Sequence, residues 1–275
     1  MQRDYTLLKN VLSIPSKTYK EGLMVEFITK WLSDNNIQYQ VDVHNNIYAT
    51  KQTDETVEFF PCVVAHTDTV HEIDTINVKE EKLPNAQNKL KLALKAYNDN
   101  GLPTGIGGDD KCGIYACLEL LKELPNLKAG FFVSEETGCH GSKKADKDFF
   151  SNVGYVIEFD APGNWMVTEY CMGTQLFEKE SEFFQLCDEV LTESFKKRNK
   201  YQSHPYTDVY ALKEIFDFSC INFAIGYYNY HTKDEYVVVE DVYNGIEAGK
   251  KIIEKLGNKK YTFKSKKKSP YMIFG

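Results

Sequence analysis

The chain of 275 residues has no Cys-x-x-Cys pair, which argues against a zinc site built from thiolates. Its seven cysteines are an odd number, and Cys62, Cys112, Cys117 and Cys220 sit in apolar surroundings. They read as small buried hydrophobes, not as a disulfide framework. No run of about 18 apolar residues occurs, so no helical membrane span is expected. The start, Met1-Gln-Arg-Asp-Tyr5, lacks the apolar stretch of a secretory signal. There is no excess of positive charge either. A net charge of −7 excludes a general nucleic-acid surface and favours simple solubility. Internal repeats and Pro- or Ser-rich linkers are also missing. What remains is a reduced, cytoplasmic protein of enzyme size, with 42% hydrophobic and 27% charged residues.

Four hydrophobic runs each lead into a residue of metal-ligand type. Glu58-Phe-Phe-Pro-Cys-Val-Val-Ala65 runs into His66-Thr-Asp68, and Lys128-Ala-Gly-Phe-Phe-Val133 into Glu135-Glu136. Asn152-Val-Gly-Tyr-Val-Ile-Glu-Phe159 runs into Asp160, and Cys220-Ile-Asn-Phe-Ala-Ile225 toward His231. Short Val/Ile/Phe runs separated by helical stretches read as buried strands of an α/β sheet. Such sheets bind ligands outside the carboxyl ends of their strands. Convergence of these side chains there suits a polynuclear metal centre.

The remaining pattern fills in the elements. Leu23, Met24, Phe27, Ile28, Trp31 and Leu32 give an apolar helical face ended by Asn35-Asn36. Tyr39–Val43 and Ile47–Thr50, joined through Asn45-Asn46, predict a hairpin. Residues 72–105 are polar and poorly patterned, apart from an alternating strand-like stretch at Lys89–Lys95. Helices are expected near 111–124, 178–197, from Asp208, and near 240–256, with a hairpin around Trp165. The stretch Lys259–Lys268 holds six lysines and reads as a frayed, solvated end, or alternatively as a docking segment for an acidic partner.

Each motif taken alone also fits a plain structural role. His66-Thr67-Asp68 suits a surface loop, although a metal-bound imidazole often gives its second N–H to such an Asp. In Gly105-Ile-Gly-Gly-Asp109-Asp110-Lys-Cys-Gly113, one aspartate can cap a helix while the other bridges two cations. Glu135-Glu136 can be an acidic loop, or a ligand beside a general base. Asp160 is equally a turn former, and His231 equally a structural histidine among tyrosines.

Together, His-Thr-Asp-Thr-Val, Gly-Gly-Asp-Asp-Lys-x-Gly, Glu-Glu-Thr-Gly, a strand-terminal Asp and a late His-Thr-x-x-Glu resemble the di-zinc exopeptidases of the peptidase T and aminoacylase group. The resemblance spans about residues 60 to 240. It implies a three-layer α/β/α sandwich with a mixed, mostly parallel sheet. By the same resemblance, Asp109 bridges two ions, His66 and Asp160 complete one site, and Glu136 and His231 complete the other. Glu135 is then the general base, Asp68 orients His66, and the Asp109–Asp110 peptide bond is a candidate for the cis form. The ligands suit zinc, and also cobalt or manganese.

Many of these relatives insert a lid domain between the last carboxylate ligand and the last histidine. Here Asp160 and His231 are only 71 positions apart, which leaves no room for one. The expectation is one catalytic domain over residues 1–257 and a basic tail over 258–275. The segment Gln202-Ser-His-Pro-Tyr-Thr-Asp208 then offers His204, with Tyr206 behind it, as oxyanion stabiliser; an ordinary surface-loop histidine is the competing reading. The leading function is a metal-dependent aminopeptidase on short peptides. The alternatives are a carboxypeptidase or a deacylase of N-acyl amino acids with the same centre, and a non-catalytic metal-binding protein.

Overall fold

A computed structural model describes residues 4–84, 88–195, 200–204 and 206–265. The chain opens with α1 (Thr6–Leu12), α2 (Gly22–Asp34), and the hairpin β1 (Gln38–Val41) and β2 (Ile47–Lys51). Then follow β3 (Phe60–His66), β4 (Asn77–Pro84), β5 (Leu90–Tyr97) and the two-residue β6 (Pro103–Thr104). Next come α3 (Gly108–Glu123), β7 (Leu127–Phe132), α4 (Lys147–Phe150), β8 (Val153–Ala161), β9 (Met166–Cys171) and β10 (Thr174–Gln175). The last elements are α5 (Glu182–Phe195), β11 (Lys200–His204), α6 (Asp208–Ile215), β12 (Ser219–Ala224), β13 (Tyr227–Tyr228), β14 (Tyr236–Val238) and α7 (Val239–Leu256).

The main sheet has the order β1-β2-β7-β3-β8-β12-β9-β10, with β11 parallel to β9. Its centre, β7-β3-β8-β12, is parallel throughout. Every residue of these four strands is buried, which explains their unbroken apolar runs. The pairing register sets the site. His66 lies opposite Phe132, and Val64 opposite Glu158, so Asp160 comes level with His66. Neighbouring residues of β8 face opposite layers. Phe159 packs on Gly249 of α7, while Glu158 meets the amino end of α6. Helices therefore cover both faces, and the architecture is the expected α/β/α sandwich with a mixed sheet.

Three expectations need correction. The segment around Trp165 is not a hairpin: β12 lies between β8 and β9, parallel to the first and antiparallel to the second. Residues 72–105 hold more than one strand. β4 and β5 pair along eight residues and join β6, β14 and β13 in a second, antiparallel sheet. Half-exposed strands carry weak apolar alternation, which is why β4 escapes a sequence reading.

The start of the lysine-rich stretch is not frayed: its lysines are exposed, but its backbone is docked on the sheet. Tyr261 donates its N–H to Gly154 O at 2.9 Å and accepts one from Ser219 at 2.7 Å. Gly154 permits this approach, because a β-carbon there would lie 2.1 Å from Lys259 O. Residues 266–275 lie outside the described residues. All seven cysteines are buried and free. No helix among the described residues is long and apolar enough to cross a membrane.

Candidate metal centre

His66 ends β3, and its imidazole is almost wholly buried. Its Nδ1 lies 2.9 Å from the carbonyl oxygen of Asp68, which can only accept, so Nδ1 carries a proton. Nε2 is turned to three carboxylates: Asp109 Oδ1 at 3.1 Å, Glu135 Oε2 at 3.9 Å and Asp160 Oδ1 at 3.9 Å.

The Asp68 side chain does something the sequence did not suggest. Its Oδ1 is 3.4 Å from His66 Nδ1, farther than its own carbonyl oxygen. Its shorter bonds are accepted from Glu135 N–H (2.9 Å), Glu136 N–H (3.2 Å) and Thr18 Oγ1 (2.8 Å). The carboxylate is thus a buried strut under the acidic dipeptide. Ser134, at φ +55°, starts that turn, and Glu21 accepts from both its N–H and its hydroxyl.

Asp109 stands where α3 begins. Gly107 adopts φ +68°, a left-handed conformation that costs glycine little, and the Asp109–Asp110 peptide bond is cis. The two aspartates divide their work as the motif allowed. Asp110 caps the helix by accepting from Gly113 N–H at 3.0 Å, and also accepts from His66 N–H at 3.2 Å. Asp109 faces the histidines: Oδ1 toward His66, and Oδ2 toward His231 Nε2 at 3.3 Å. His231 Nε2 is also 3.0 Å from Glu136 Oε2. Asp160 accepts a hydrogen bond from Tyr227 OH at 3.1 Å. One ligand atom each from His66, Asp109 and Glu136 lie within 4.8 Å of one another.

The electrostatics call for a cation. Burial, aggravated by neighbouring carboxylates, pushes Asp160 well above its ordinary range and Glu135 up to about 8. Burial also raises Glu136 against the pull of His231. Asp109 is the exception, since hydrogen bonds from His231 and His66 outweigh its burial and hold it low. Bonds to Asp109 and Glu136 in turn lift His231 to about 10. Asp109 apart, these shifts all favour protons on the imidazole and carboxyl groups of the cluster. Divalent ions replace such protons on binding. Imidazole and carboxylate donors without thiolate fit zinc, cobalt or manganese.

The structure therefore brings together His66, Asp68, Asp109, Glu135, Glu136, Asp160 and His231 from three strand ends, one helix start and the loop between β13 and β14. It leaves His204 unplaced. The backbone of that residue ends β11 opposite Cys171, but its side chain lies outside the described residues. A buried network beneath Glu135 was missed. Glu158 accepts from Thr207 Oγ1 and from the N–H groups of Asp208 and Val209 at the start of α6. Asp208 accepts from Ser142 Oγ at 2.5 Å, and burial raises its carboxyl to about 7. The one signal in the sequence was Glu158 itself, a charge inside an apolar run two residues ahead of Asp160.

Parallel strand ends that gather two imidazoles and several carboxylates, one of them shared, define a metallo-exopeptidase. The chain belongs to the peptidase family M20/M25/M40, whose model matches residues 62–255, more than half of its length. It is accordingly a metal-dependent peptidase. Among solved structures it is similar to aminopeptidase PepT from Bacillus cereus ATCC 10987, at a TM-score of 0.73 and 14% identity. That match covers 91% of this chain and 97% of that one. A tripeptidase from Staphylococcus aureus subsp. aureus Mu50 gives 0.69 and 13%, over 90% and 96% of the two chains. A TET aminopeptidase from a marine-sediment Thaumarchaeota archaeon gives 0.66 and 10%, over 91% and 96%. At these identities the likeness is one of fold. No curated protein matches the chain.

Proposed function

We propose that this peptidase is an aminopeptidase of short peptides working with two divalent ions, zinc foremost. The observation that carries the reading is the Asp109 carboxylate, with one oxygen 3.1 Å from His66 and the other 3.3 Å from His231. Each histidine has a further carboxylate beside it, Asp160 for the first and Glu136 for the second. His66 and Asp160 would hold one ion, Glu136 and His231 the other, and Asp109 would serve both. Ions bound there would acidify water and polarise the scissile carbonyl.

Glu135 is the base in this reading. It is buried within reach of the centre, and its Oε1 takes only a weak bond from Cys139 Sγ at 3.4 Å. Its carboxylate takes the proton of the attacking water and returns it to the leaving amine. Asp68 holds Glu135 by its main-chain N–H, so the base is aimed by the backbone. Recognition of the amino end is favoured because Lys111, the lysine of the Gly-Gly-Asp-Asp-Lys motif, is buried and turned to the carbonyls of Leu12 and Ile106. It is not aimed at a substrate carboxylate, as a carboxypeptidase or deacylase would need. Two of the similar structures are an aminopeptidase and a tripeptidase by name, which agrees with short peptides as substrates. The same reading treats residues 1–257 as one catalytic domain without a lid. In its support, β9 and β12, both between Asp160 and His231, belong to the main sheet.

The test is a digest of a mixed peptide pool, half of it amino-acetylated, by zinc- or cobalt-loaded enzyme and by Glu135→Gln. The expected result is stepwise loss of residues from free amino termini only. The variant should retain its metal and lose about 10²–10⁴-fold in kcat. Trimming from carboxyl ends, release of acetate, or near-full activity of the variant would overturn the assignment.

A further inference from the structure

Glu235 lies four residues past His231 and is almost wholly buried. A carboxylate in that position is costly unless each oxygen is engaged, and here both are. Oε2 accepts from His71 Nε2 at 2.7 Å and from Gly107 N–H at 2.9 Å. Oε1 accepts from Asp109 N–H at 3.1 Å. Because a carboxylate only accepts, Nε2 of His71 carries the proton.

These three bonds cross-link the segments that carry the site. His71 follows His66 and Asp68 on the loop after β3. Gly107 and Asp109 belong to the turn into α3. Glu235 closes the loop of His231. Glu235 and His231 thus grip Asp109 from both ends, one by its amide and the other by its carboxylate. Packing leaves the turn no slack. A β-carbon at Gly108 would lie 2.7 Å from Tyr227 Cβ, and one at Gly105 would fall inside the His71 ring. The loop of Glu235 is itself fixed, since Glu235 donates its N–H to Thr232 O and β14 follows at once along β5.

We propose that Glu235, secured by His71, is the positioning residue that sets the Asp109 carboxylate between His66 and His231. The proposal rests on the reading of those three residues as metal ligands. Glu235 touches neither ion nor substrate. It acts on the backbone that aims the shared ligand, as outer partners of metal ligands generally do.

The experiment compares wild type, Glu235→Gln and His71→Ala by competition with a chelator for zinc and by visible absorption of the cobalt-loaded proteins. Thermal unfolding of each metal-free protein is followed alongside. Glutamine keeps the shape but places an amide N–H against one of the donors. The expected result is a roughly 10–100-fold loss of metal affinity and an altered cobalt spectrum, with folding retained. His71→Ala should show a smaller loss that added imidazole restores, because the ring leaves a gap over Gly105. Unchanged affinity and an unchanged cobalt spectrum in Glu235→Gln would overturn the proposal. Wild type that binds no metal would instead overturn the reading of the ligands. If Glu235→Gln does not fold, His71→Ala decides: wild-type metal affinity there overturns the proposal.

Discussion

Asp68→Asn separates two jobs that one aspartate could do, which are orienting an imidazole and holding a turn. The side chain is fully buried and accepts from Glu135 N–H, Glu136 N–H and Thr18 Oγ1. Asparagine has one oxygen and one NH₂ in the same volume. With the NH₂ at the Oδ2 position, Thr18 can reverse its hydroxyl and accept, but Glu136 N–H is stranded. With the NH₂ at Oδ1, Glu135 N–H is stranded. An unpaired buried N–H costs about 1–3 kcal/mol, and loss of charge assistance on the remaining bond adds roughly 1 kcal/mol. The expected destabilisation is therefore about 2–4 kcal/mol, or a fall in Tm of roughly 3–7 °C for a chain of this size.

The assay is urea unfolding with a check that the slope is unchanged. Its pH dependence supplies a second control. Burial raises the Asp68 carboxyl, but the nearby His66 imidazole and the bonds from Glu135 and Thr18 outweigh it and hold it low. A depressed carboxyl contributes stability above its unfolded pKa, about 3.9, and loses it as pH falls through the lower folded value. The gap between wild type and variant should narrow below about pH 4. Because His66 Nδ1 bonds the Asp68 carbonyl, the imidazole stays oriented in the variant. Metal binding through Glu136 should weaken more than binding through His66. A variant within ~0.5 kcal/mol of wild type, the scatter of ordinary surface changes, would refute the strut.

Two other outcomes follow from contacts outside that strut. In metal-free protein, His231 is raised to about 10, so its contribution is complete below about 6.5 and is lost as pH rises through 10. The imidazole is 42% exposed, which limits the effect to about 1 kcal/mol or less. Chelated wild type should lose Tm between pH 7 and 10 and His231→Asn should not; equal slopes would refute the pairing. Gly154→Ala would set a methyl 2.1 Å from the backbone oxygen of Lys259 and force residues 259–263 off β8. The cost should be about 1–3 kcal/mol in urea unfolding and should vanish when residues 258–275 are removed. An equal cost in the truncated protein would place the strain elsewhere.

The central sheet was legible because its strands are buried on both faces and hence continuously apolar. Three of the proposed ligands were legible because each is tied to such a run: His66 ends β3, Asp160 lies one residue before the end of β8, and Glu136 follows β7. The partners of the supporting carboxylates were not legible, even for Glu235 in the late His-Thr-x-x-Glu motif, because each is a pairing across long sequence distance. Glu21 reaches Ser134 across 113 positions, and Glu235 reaches Gly107 across 128. Only a fold can say which buried carboxylate meets which N–H. Asp68 shows the limit within a motif that was noticed. Its place beside His66 suggested an orienting carboxylate; the geometry sets its carbonyl closer to the imidazole than its carboxylate, and gives that carboxylate a further task at Glu135 and Glu136.

The least readable stretch, residues 72–105, bears on His231, the proposed ligand farthest along the chain. His231 sits on a loop between β13 and β14, and at φ +60° it has little strand structure of its own. β14 is three residues long and too short to hold a loop alone. It pairs with β5 from Tyr236↔Lys95 to Val238↔Ala93, and β5 is braced along its other edge by all eight residues of β4. The polar hairpin thus fixes the strand that begins one residue after Glu235, and through Glu235 the turn that carries Asp109. Such a hairpin needs backbone pairing more than apolar side chains, which accounts for its faint signature. It also ties the second sheet, through β14 and Glu235, to the turn that carries Asp109. Loosening that hairpin should therefore disturb the metal centre before it disturbs the main sheet.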